Sequence, residues 1–110
     1  MNLFLLPGNS KASNEPWIKE VAKTLATVGK QYLLVYDHWK TGDMLMDIEN
    51  EVDRLGAAAH AMEDVAIFAK SAGCLVALRA INESRVQPRV CVFVGFPGHF
   101  AKDIGIDVKE

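Results

Sequence analysis

The chain has 110 residues, 50% of them hydrophobic and 24% charged, with a net charge of −2. That composition suits an ordinary globular domain, long enough to bury a core. It offers no basic stripe to track a nucleic-acid backbone or an anionic membrane, so neither partner is expected.

Four short runs read as strands: residues 3–6, 32–36, 65–68 and 90–94. Each is continuously apolar rather than alternating, which suits a parallel sheet covered on both faces. The opening MNLFLLPG lacks the basic leader and apolar length of a signal peptide. Between the first two strands, residues 16–28 carry Trp17, Ile18, Val21, Ala22, Leu25 and Val28 on one helical face. Ser13 or Asn14 can cap that helix, and Gly29 ends it. A second helical pattern over 43–61 places Leu45, Ile48, Val52, Leu55 and Ala59 inward. A third starts near Ala72 and ends before Pro88. Its opening AGCLVAL is apolar nearly all round, so it should be the most buried helix.

Strand–helix alternation of this kind predicts a three-layer α/β domain, a four-stranded parallel sheet with right-handed crossovers and helices on both faces. No apolar run approaches a membrane span. Cys74 and Cys91 form no CxxC and no metal-ligand spacing. They read as reduced thiols packed as small hydrophobes in a cytoplasmic protein, and the pattern calls for no metal and no cofactor.

In parallel sheets, ligands gather beyond the carboxyl ends of the strands. That rim holds Gly8, Asn9 and Ser10, then Asp37, His38 and Trp39, then Lys70, Ser71 and Ala72, then the segment Gly95 to His99. Ser71 carries the clearest signal. A serine on a sharp strand-to-helix turn needs small residues two before and two after it, because larger side chains collide with neighbouring backbone. Here those residues are Ala69 and Gly73. Such a turn has positive φ and points the serine Oγ out of the sheet, beside a helix N-terminus that favours negative charge. The competing reading makes Ser71 a simple helix cap. Acyl transfer also needs two N–H donors aimed at the developing oxyanion. Ala72 supplies one, and Asn9, next to the permissive Gly8, is the candidate for the second.

The segments LFLLPGNS, YLLVYDHW, VAIFAKSAGCLVAL and RVCVFVGFP resemble the central strands and helices of the α/β-hydrolase superfamily, closest to its small, lidless bacterial serine hydrolases. The resemblance implies a strand order of second, first, third, fourth. It also implies Ser71 as nucleophile, Asn9 and Ala72 as oxyanion donors, and a small-molecule acyl substrate. Family members place the triad acid and histidine later in the chain, in the order Ser, Asp or Glu, His. After Ser71 only His99 remains, and it precedes Asp103 and Asp107. The resemblance therefore implies that residues 1–110 are a C-terminally incomplete hydrolase core, with His99 the one replacement base on the rim. His38 reads as packing or pocket wall, His60 as structural, and Lys70 as pointing away from Ser71.

The expected function is a serine hydrolase-type domain for small esters, catalytically incomplete in this form. The alternatives are a flavodoxin-like module, with PGNSKASN cradling a phosphate, and a non-catalytic assembly partner. The apolar last strand at a sheet edge, with nothing before residue 100 to cover its face, also points to homo-oligomers.

Overall fold

In a computed structural model, which describes residues 1–96, the strands are β1 (Asn2–Leu6), β2 (Lys30–Leu33), β3 (Val65–Lys70) and β4 (Val90–Val94). The helices are α1 (Lys11–Thr24), α2 (Asp37–Thr41), α3 (Ile48–Ala59) and α4 (Ala72–Asn82). All strand pairs are parallel, in the order β2-β1-β3-β4. The expected fold class is therefore observed.

Side-chain alternation along the two inner strands sorts the helices. Leu3, Leu5 and Ala66 face α1 and pack with Ile18, Trp17, Val21 and Leu25. Phe4, Leu6, Ile67 and Ala69 face the other way, onto Val52 and Leu55 of α3 and Val76, Ala77 and Ala80 of α4. β1 and β3 are thus covered on both faces, as their continuous apolar runs require.

The edge strands behave differently. β2 is only partly buried, and along β4 Val90, Val92 and Val94 are 40–49% exposed. Register places Val92 beside Phe68, and Phe68 packs on Trp17. The bare valines therefore lie on the α1 side, beyond the reach of that helix.

Several boundaries move. β2 pairs over Lys30–Leu33, not 32–36: Leu34 donates one more bond to Leu5 O, and the chain then leaves the sheet with Leu34 and Tyr36 buried. The apolar run marked burial beyond the point where pairing stops. Helix α1 begins five residues before Pro16 and ends at Thr24, leaving Val28 44% exposed in the following turn. Its cap position is Ser10, not Ser13 or Asn14. Helix α3 starts at Ile48 rather than 43, because Asp47 accepts the Asn50 N–H and caps it there. Leu45 consequently lies outside the helix and is 78% exposed rather than inward. The short helix α2, absent from the sequence reading, fills the space between. Its first N–H, from Asp37, donates to Glu51, a carboxylate buried on α3 and paired with Arg54. No helix among the described residues is long and apolar enough to cross a membrane.

Candidate functional site

Ser71 joins β3 directly to α4. Its N–H donates to Val94 O at 2.8 Å, continuing the β3–β4 ladder, while its carbonyl accepts from Cys74 N–H at 2.9 Å, opening the helix. With no residue in between to absorb the change of direction, Ser71 takes φ 49° and ψ −119°. A non-glycine residue held there stores on the order of 1–3 kcal/mol. The flanking residues make the turn possible. Ala69 is fully buried. A Cβ on Gly73 would meet the carbonyl oxygens of Leu6 and Pro7, the latter at 2.5 Å. The positive φ expected from the sequence is present, and the Ser71 hydroxyl does not cap α4.

The loop after β1 approaches from the side. Asn14, buried in α1, accepts the Gly8 N–H through Oδ1 and donates through Nδ2 to Ser10 O. Gly8 is small because the Asn14 side chain occupies the space where a Cβ would stand. Tyr36 donates its hydroxyl to Pro7 O. Burial, reinforced by the Glu51 carboxylate, holds that phenol well above its ordinary pKa.

Asn9 is the most heavily braced residue of the loop. Its carbonyl oxygen accepts from Trp39 Nε1–H at 2.8 Å and from His38 Nε2 at 2.6 Å. A carbonyl only accepts, so this contact assigns the His38 proton to Nε2. The Asn9 side chain donates to Met44 O and accepts from Met46 N–H, both at 2.8 Å. The Asn9 backbone N–H has no acceptor among the described residues. The same holds for Ala72 N–H, which as the first residue of α4 has no intrahelical acceptor.

Asn9, Ser71 and Ala72 line one cleft of about 340 Å³, completed by Leu45, Met46, Ile48 and Leu75. Sequence reasoning thus named three residues that the fold brings together. Among the described residues, none that lines the cleft carries an imidazole or a carboxyl group. His38 is buried on α2 with Nε2 engaged by Asn9 and Nδ1 unpartnered among the described residues. His60 is exposed at the C-cap of α3. Lys70 lies over the Trp17 ring at 5.0 Å, on the opposite side of the sheet. His99 lies outside the described residues. Cys74 is fully buried next to this turn, and burial pushes its thiol up to about 11.

Sequence reasoning missed the anchoring of Asn9 by His38 and Trp39, and the cleft walls Leu45 and Met46. The signal for the first was DHW directly after the apolar run 32–36, aromatic bodies with polar tips that seek a partner when buried. No family model, no curated protein and no solved structure matches this chain, so its chemistry rests on the geometry above.

Proposed function

We propose that Ser71 is the nucleophile of a serine hydrolase-type site for small acyl compounds, with the backbone N–H groups of Asn9 and Ala72 as oxyanion donors. One observation carries the reading: a serine held at φ 49°, its hydroxyl not used as a cap, lines a cleft with Asn9 and Ala72, whose backbone N–H groups have no acceptor among the described residues. Strain at a non-glycine residue persists where the surrounding structure over-determines it, and such positions cluster at functional sites.

In the reaction, Ser71 Oγ bonds to the acyl carbon while the carbonyl oxygen takes up negative charge against the two donors. The leaving group then departs with its electron pair. Serine at its free pKa is a weak nucleophile. Among the described residues no base lines the cleft, so from these residues alone the Oγ proton passes to water, which restricts the site to activated acyl groups. Donors and binding without a triad still leave rates on the order of 10³-fold above water in well-formed hydrolases.

The flavodoxin-like reading is weaker. A phosphate cradle after β1 needs free backbone donors, and the Gly8 N–H is already taken by Asn14.

A fluorophosphonate probe tests the proposal. Ser71 Oγ would bond to phosphorus and fluoride would leave, and mass spectrometry would place the adduct on Ser71. Labelling should be slow and absent in Ser71→Ala. An adduct on another residue, or none after prolonged exposure, would overturn it.

A further inference from the structure

We infer that the cleft beside Ser71 accepts an uncharged aliphatic chain, and that residues 44–46 are its preformed wall. The assignment of the carbonyl end to Ser71 rests on the function proposed above; the chain site itself rests on the cleft.

Four of the seven lining residues are Leu45, Met46, Ile48 and Leu75, and only Asn9 and Ser71 are polar. Leu45 is 78% exposed and its neighbour Met44 88%. A single exposed leucine needs no explanation. Two adjacent large apolar residues, in a segment fixed on both sides, are different. Asn9 Nδ2 holds Met44 O and Asn9 Oδ1 holds Met46 N–H, so one side-chain amide clamps the segment as a neighbouring strand would. The clamp keeps the wall from collapsing onto Ile48 and Leu75. It also fixes the wall relative to the Asn9 N–H, so the site for a carbonyl and the site for its chain share one residue.

The wall has no cation, and Asp43 and Asp47 flank it in sequence. Chains ending in a carboxylate are therefore disfavoured. A volume of about 340 Å³ lies near the lower end for small-molecule sites, roughly 300–1,000 Å³, which suits a short to medium chain rather than a long lipid.

The test uses Ser71→Ala protein with ¹³C-labelled methionine methyls, so that binding is read without reaction. Straight-chain primary amides from acetamide to octanamide are titrated while the methyl resonances of Met1, Met44, Met46 and Met62 are followed. Met46 should shift first, Met1 and Met62 should not, and affinity should rise by up to about fourfold per added methylene until the chain outruns the cleft. Leu45→Ser, at an exposed position that the fold tolerates, should flatten that rise. Octanamide binding no tighter than acetamide, or shifts that spare Met46, would overturn the inference. Fluorophosphonate labelling of wild-type Ser71 separates the two failures. Labelling with a flat amide series removes the chain site alone. A rising series without labelling keeps the chain site and removes the nucleophile.

Discussion

Gly73 and Leu6 meet backbone to backbone: a Cβ on Gly73 would collide with the Leu6 carbonyl oxygen. That contact seats the start of α4 on the end of β1 and sets Ser71 beside the loop that carries Asn9. Gly73→Ala must push helix and strand apart, and overpacking of this kind costs about 1–3 kcal/mol. The expected outcome is that loss in urea denaturation, together with weaker probe labelling of Ser71. A stability change within about 0.5 kcal/mol, the range of a surface substitution, would refute it.

Strain at Ser71 predicts an unusual order of stabilities. Glycine accepts φ 49° freely, whereas alanine keeps the penalty. Ser71→Gly should therefore be more stable than Ser71→Ala, by roughly 1 kcal/mol after the entropic cost of glycine in the unfolded chain. Comparing the denaturation midpoints of the two variants checks this directly, and the reverse order would contradict it.

Much of this was legible from sequence because it depends on local sterics. A serine between a short buried strand and an apolar helix, with Ala69 and Gly73 at two residues' distance, leaves the backbone few choices. The central strands were equally legible, since β1 and β3 are buried on both faces. What escaped were features decided by distant partners. The start of α3 depends on which of several polar residues caps it, and Asp47 prevails while Asn9 holds residues 44–46 in a loop. Asn14, which looked like a cap, is buried instead as the brace for Gly8. Periodicity alone put Leu45 inside a helix because it carries no information about such tertiary bonds.

Buried acids of high pKa give the alkaline limb of stability. Burial pushes the Cys74 thiol up to about 11, and burial followed by the Glu51 carboxylate raises the Tyr36 phenol. Both groups hold their protons more tightly in the folded state. Their contribution is therefore full below the unfolded thiol value of about 8.5 and is lost as pH rises through the folded values. Melting temperature should fall steadily above that point, and at pH 8 a thiol reagent should modify partly exposed Cys91 before buried Cys74. A flat melting temperature up to pH 10.5 would be the contrary result.

The valine stripe of β4 predicts association between copies of the chain. Val90, Val92 and Val94 are exposed on one face, and among the described residues β4 also ends the sheet, so there an apolar surface and backbone groups without a strand partner adjoin. Sedimentation at tens of micromolar should show species larger than a monomer, and Val92→Lys should reduce them. A monomer across that range, without dye binding to apolar surface, would oppose the prediction.

The strand order also shapes how the chain folds as it is made. β1 precedes both of its sheet neighbours in the chain, with Asn2 aligned to Lys30 on one side and to Val65 on the other. A nascent chain can close the β1–β2 side once Leu33 has emerged. The other edge of the LFLL strand must stay unpaired until residues 65–70 leave the ribosome. Non-local parallel pairing is slow for the same reason, since the loop must close before any contact rewards it. During synthesis the strand that ends up most completely buried is therefore the one left open longest, and it is where nascent chains would aggregate or recruit a chaperone.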